Sequence, residues 1–123
     1  MPACVAADLP AFYAPVQDLL KKIEAAAEAR LTFSPNATPA EKLVRYKNFL
    51  KVETHRLKLL HRAGADGLEI CSARAAILDA LLQHLWDTAK KNLSAAAQKE
   101  FPQIALVAIG GYGRAELNPH SDI

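Results

Sequence analysis

Apolar residues recur at helical spacing through the first ninety residues, and the period changes only near the end of the chain. Phe12, Val16, Leu19, Leu20 and Ile23 fall on one side of a segment from about Pro10 to Arg30, with Lys21, Lys22 and Glu24 on the other. Ser34-Pro35-Asn36 interrupts that pattern, because proline disfavours helix at the residue before it. Thr38-Pro39-Ala40-Glu41 is a start signal: threonine caps free N–H groups, proline suits the first helical position, and glutamate completes a capping box. The second helix therefore runs to about Ala63, where Gly64 and Asp66-Gly67 end it. Its expected inward line is Leu43, Tyr46, Leu50, Leu57 and Leu60, with Phe49 alongside. A third helix covers roughly Glu69 to Lys91. Its apolar face, with Ile70, Ile77, Leu81, Leu85 and Trp86, is wide enough to meet several partners. Ser94 to Glu100 adds a short helix. Ile104 to Ile109 is then a continuous apolar run of strand length, the pattern of a central strand buried on both faces.

Helix thus predominates, and the run delivers a single strand into Gly110-Gly111-Tyr112-Gly113-Arg114. The chain accordingly divides into a helical region over 1–68 and, from 69 to 123, the beginning of an α/β domain. The balance of 51% hydrophobic and 23% charged residues is that of a globular chain. The net charge of +2 argues for neither a nucleic acid nor an anionic membrane as partner. Charge is local, however. Glu41 to Arg62 holds seven Lys/Arg against two Glu, a local +5 that leaves −3 for the remainder. Cys4 and Cys71 lie far apart without metal-ligand spacing, and the amino-terminal ten residues lack the basic start of a secretory signal. No apolar run approaches the ~20 residues that span a bilayer. The expectation is a cytoplasmic protein.

Ile104 to Ile123 is where chemistry is expected. Ligands of open α/β sheets bind at the carboxyl ends of strands, and glycines there let backbone N–H groups approach a phosphate. Arg114 supplies forked donors suited to phosphate oxygens, and Asp122 is a hard oxygen ligand of the kind Mg²⁺ prefers. Two common phosphate motifs are excluded. No Gly-Lys-Ser/Thr is present, and the dinucleotide pattern fails because Glu116 stands at its third glycine.

Gly110-Gly111 followed by Asp122-Ile123 resembles the signature of the polymerase-β-like nucleotidyltransferases. The longer string from Val107 to Ile123, with Ala73-Arg74, Asp79 and Leu85-Trp86 before it, is similar to the PII uridylyltransferase/uridylyl-removing family. The resemblance covers roughly residues 70 to 123 and is most specific in the last fourteen. It implies a mainly helical region leading into the first strand of a polymerase-β-like domain. It assigns Gly110, Gly111, Arg114 and Ser121 to nucleotide binding, and Asp122 to catalysis and to a two-metal Mg²⁺ site. It further implies UTP as nucleotide, a tyrosine of the PII signalling protein as acceptor, and glutamine as an effector acting through downstream domains. The second metal carboxylate would come directly after Ile123 and a third further on, so the 123 residues alone would be inactive. Ala115 departs from the pattern, since relatives often carry glycine there. Asn118 in Glu116-Leu117-Asn118 also resembles the sister glutamine synthetase adenylyltransferases, while Tyr112-Gly113-Arg114 and Pro119 favour the uridylyltransferases.

Some residues read differently without the family. Arg114 and Glu116 either brace the loop as an ion pair or touch substrate. Arg74, Asp79 and Trp86 fix how the third helix packs on the catalytic domain. The basic stretch Lys42–Arg62 admits a rival of another class, a non-catalytic binding module with a polyanion partner. A solvated face of an amphipathic helix accounts for the same residues without a partner.

Overall fold

Strong local signals place the helices before any tertiary contact is considered. The structure is a computed structural model that describes residues 14–100 and 104–121. Helix α1 spans Ala14–Leu31; its expected beginning at Pro10 lies outside the described residues. Helix α2 spans Pro39–Arg62 behind an extended Thr38. The Glu41 N–H donates to Thr38 Oγ1 at 3.3 Å and the Thr38 N–H donates to Glu41 Oε2 at 2.7 Å, so the capping box is complete. The hydrogen bond from the Thr38 backbone also holds the Glu41 carboxyl below the usual range. Helix α3 spans Gly67–Lys91. It starts two residues before the expected Glu69 because Asp66 accepts the Leu68 N–H at 3.0 Å and caps the first turn. Helix α4 is Ala95–Glu100 and the one-turn helix α5 is Gly110–Gly113.

The long helices bury apolar stripes against one another, and each packs on the other two. Leu19, Ile23, Ala27 and Leu31 of α1, spaced every four residues, meet Phe49 and Leu57 of α2 and Ile70, Ala73, Ile77 and Leu81 of α3. Ile23 and Ala73 have no exposed surface, and burying one large aliphatic side chain contributes about 2 kcal/mol. At the α1–α2 connection Phe33, Tyr46 and His84 form an aromatic cluster with ring centroids 5.3–5.7 Å apart. Tyr46 Oη lies 3.1 Å from His84 Nδ1, and burial of the ring lowers the histidine's pKa below its ordinary value.

Two expectations change. In α2 Leu43 is exposed and the inward positions are Phe49, Glu53 and Leu57, with Tyr46, Leu50 and Leu60 packed beside them. The buried Glu53 sits between two arginines: Arg30 Nη1 at 3.4 Å from Oε1, and Arg56 Nη1 at 3.1 Å from Oε2. An ion pair therefore occupies a position that a hydropathy pattern leaves to solvent. The second change concerns Ile104 to Ile109. No strand pairing exists among the described residues, and Ile104, Leu106, Val107 and Ile109 are exposed. A strand is defined by its ladder, and here nothing offers one.

The basic stretch is partly structural. Lys42 and Arg45 lie over the Phe33 ring, Arg45 also donates to the Thr32 carbonyl, and Arg56 belongs to Glu53. Lys47, Lys51, Lys58 and Arg62 remain exposed on the side of α2 opposite Glu53. No described helix is long and apolar enough to cross a membrane.

Candidate functional site

Helix α3 is two-sided. One side fills the three-helix core, while Ala75, Asp79, Leu82 and Trp86 face the other way at helical spacing. Ala75 is buried outside the core cluster. The segment 104–121 lies along this second side and is fastened at three kinds of point. Tyr112 Oη donates to Asp79 Oδ1 at 2.6 Å. Leu117 is 1% exposed, which makes it the apolar anchor of an otherwise polar loop. Arg74 donates from Nη1 to the Asn118 carbonyl at 2.6 Å and from Nη2 to the Ser121 carbonyl at 3.3 Å. Burial, with the Asp79 hydrogen bond and charge behind it, pushes the Tyr112 phenol far above its ordinary range, so it stays a donor at any physiological pH.

The glycine turn is shaped chiefly by its own backbone. After α5 the Ala115 N–H returns to the Tyr112 carbonyl at 2.9 Å and the Glu116 N–H to the Gly111 carbonyl at 2.9 Å. This is a Schellman ending, whose key residue adopts the left-handed conformation; here that residue is Ala115, at φ 57°. Helix α2 ends in the same way, with Gly64 at φ 99° in the equivalent place. A glycine meets this backbone requirement without the steric cost that a Cβ brings. Ala115→Gly is accordingly expected to stabilise the folded chain by roughly 0.5–1 kcal/mol, after the gain in unfolded-state entropy is set against the relieved strain. Urea unfolding would show it as a raised midpoint, and a lowered midpoint would contradict the left-handed assignment.

Gly113 answers a different need. A Cβ there would stand 2.6 Å from the Ala108 carbonyl oxygen and 2.9 Å from its carbon, both backbone atoms that cannot turn aside. Gly113→Ala should cost about 1–3 kcal/mol in the loop by overpacking. Trp86 is the sole tryptophan and lines the adjoining cleft, so its emission should shift while the helical far-UV signal persists. An unshifted spectrum would mean that the loop absorbs the methyl group.

Between α3 and this segment lies a cleft of about 510 Å³. Leu82, Trp86 and Leu117 give it an apolar floor, and Gly110, Gly111 and Ser121 are on its lining. Three of the sequence-derived site residues thus come together. Arg114 does not join them: it is exposed and pairs with Glu116 at 3.4 Å, the bracing arrangement, which at the surface contributes at most about 1 kcal/mol. Asp122 lies outside the described residues. No group of three or more His, Cys, Asp or Glu side chains that could hold a metal occurs among the described residues, and Asp79, the carboxylate lining the cleft, accepts the Tyr112 hydroxyl. Arg74, Asp79 and Trp86 were expected to fix how the third helix packs on a catalytic domain; here Arg74 and Asp79 hydrogen-bond the segment 104–121, and Trp86 lines the cleft beside it. Tyr112, Leu117 and the conformation of Ala115 were not legible. Tyr112 and Asp79 stand 33 residues apart with no shared pattern; the lone leucine in Arg114-Ala115-Glu116-Leu117-Asn118 was the one available signal.

Known proteins extend this picture. The chain is 37% identical over 87 residues, 71% of its length, to the bifunctional uridylyltransferase/uridylyl-removing enzyme of Pseudomonas putida. It is 34% identical over 106 residues, 86% of its length, to the protein of the same name in Pseudomonas syringae pv. tomato. Over 95 residues, 73% of its length, it is 34% identical to that of Photobacterium profundum. These alignments cover 9–10% of the relatives, so the chain spans about a tenth of the length of the curated relatives it matches. It is homologous to part of that enzyme. No family model matches the chain, and no solved structure matches it.

Proposed function

We propose that the chain forms part of a nucleotidyltransferase that moves UMP from UTP to a tyrosine of the PII signalling protein. The observation that carries this reading is the shared lining of one cleft by Gly110, Gly111 and Ser121, the residue immediately before Asp122. The similarity to uridylyltransferases over most of the chain supports it. Gly110 and Gly111 would receive the triphosphate through backbone N–H groups, and Ser121 would add a hydroxyl. Arg114 pairs with Glu116 through Nε, and its terminal Nη groups would be the donors to a phosphate oxygen.

Asp122 is the residue that would hold Mg²⁺, and its carboxylate oxygens suit that hard cation. Bound there, the metal would neutralise charge on the triphosphate as pyrophosphate leaves. In this reading one carboxylate would not organise two metals, and further metal ligands, a glutamine-sensing region and a surface for docking PII would be needed beside it. The 123 residues alone should therefore transfer nothing. The apolar segment 104–109, exposed here, is then the strand on which the rest of a catalytic sheet would assemble.

The deciding assay follows label from UTP to PII in the protein carrying its natural downstream sequence, with and without Mg²⁺. Magnesium-dependent labelling of PII is the expected result. Labelling of glutamine synthetase from ATP instead would transfer the chain to the adenylyltransferases. Labelling of neither would remove the named substrates.

A further inference from the structure

We propose that the base of the bound nucleotide packs against Trp86, at the end of the cleft away from the glycine turn, an inference that rests on the nucleotidyltransferase reading. Helix α3 supplies one long wall of the cleft through Asp79, Leu82, Gln83 and Trp86, which share one side of the helix at three- and four-residue spacing. Tyr112, directly after Gly110-Gly111, donates to Asp79, so the glycine turn sits at the amino-terminal end of that wall. Trp86 stands seven residues further on, about 10 Å along the helix axis. That separation is comparable with the reach of a nucleotide from its phosphates to its base.

The chemistry of the cleft changes along the same direction. At the glycine end, backbone N–H groups without a Cβ in the way suit an anion. At the other end Leu82 and Trp86 present an apolar and aromatic surface, and Leu106 and Val107 line the cleft from the facing segment. Such a surface takes a flat base, because every base has a π-face. Gln83 adds an amide whose donors and acceptor suit the edge of a base. A chain of phosphates alone gains nothing from this end, whereas a nucleotide uses both. Strands that join 104–109 would pair with its edges and leave the wall towards α3 in place.

Trp86 is the sole tryptophan of the 123-residue chain, so its emission reports on this end of the cleft. Equilibrium dialysis of that chain against labelled UTP measures binding, and fluorescence shows whether the base meets Trp86. UTP and uridine should both bind and quench the emission; inorganic tripolyphosphate should displace labelled UTP but quench nothing when added alone. Retained UTP with unaltered emission would overturn the subsite, as would failure of the chain to retain UTP. In the protein with its downstream sequence, Trp86→Leu should raise KM for UTP roughly 10-fold with kcat little changed, and Trp86→Phe should recover most of the loss. An unchanged KM in Trp86→Leu would overturn the subsite as well. If Trp86→Leu does not fold, the emission of the parent chain decides. Transfer is scored separately. UMP transfer without contact at Trp86 would remove the subsite and leave the reading, whereas quenching without transfer would remove the reading.

Discussion

Asp122→Asn, made in the protein with its natural downstream sequence, is expected to lower UMP transfer to PII by about 10³-fold. The substitution keeps the shape of the side chain and one carbonyl oxygen but removes the negative charge and one hard ligand. Metal stabilisation of a developing phosphoryl charge is a matter of several kcal/mol, and each 1.36 kcal/mol is tenfold in rate. The fold should not register the change. The hydrophobic cluster of α1, α2 and α3 contains nothing beyond Leu81, so thermal unfolding and far-UV signal should match the parent. Loss of activity with an unchanged midpoint would assign Asp122 to the chemistry. Retention of more than a tenth of the activity would take it out of the metal site, and loss of activity together with stability would make it a structural residue.

A comparably large effect is expected on stability when Glu53 loses its partners. The carboxylate is 1% exposed, whereas the side chains of Arg30 and Arg56 are 41% and 42% exposed. That asymmetry decides the outcome. With Arg30 and Arg56 both replaced by alanine, a buried charge is left without counter-ions, and breaking such a pair from this side costs about 3–5 kcal/mol. Removing the carboxylate instead, as Glu53→Met, leaves two arginines that can turn into water, and methionine suits the apolar surroundings. The single substitution should therefore cost far less than the double one and, as with other buried ion pairs, can approach neutrality. Urea unfolding of the two variants would separate these results. Equal stability of the double-arginine variant and the parent would mean that Glu53 reaches solvent. Arg30 is on α1 and Glu53 on α2, so this contact joins two helices, whereas Arg56 and Glu53 pair within α2.

The sequence by itself determined the elements governed by neighbours a few residues apart. Thr38-Pro39-Ala40-Glu41 starts α2 because each residue serves a group three positions away or nearer, and Gly64 ends it because the left-handed turn needs no distant partner. Leu19 and Ile23 were equally readable, since one helical period places them on one side, whereas Ala27 and Leu31 joined that row only in the structure. The glycine–aspartate spacing at Gly110, Gly111 and Asp122 raised the expectation of chemistry for a related reason: it is a local string. Tertiary structure decided the rest. Glu53 is buried while Leu43 is exposed because burial depends on which side of α2 meets α1 and α3, and a charge is tolerated there only where arginines converge. Ile104 to Ile109 has strand composition but no ladder among the described residues, because pairing is a property of two segments and not of one. The contacts of Arg74 and Asp79 with the loop span 33 to 47 residues. No periodic pattern reaches that far; only the path of the chain over the second side of α3 brings them within hydrogen-bonding distance.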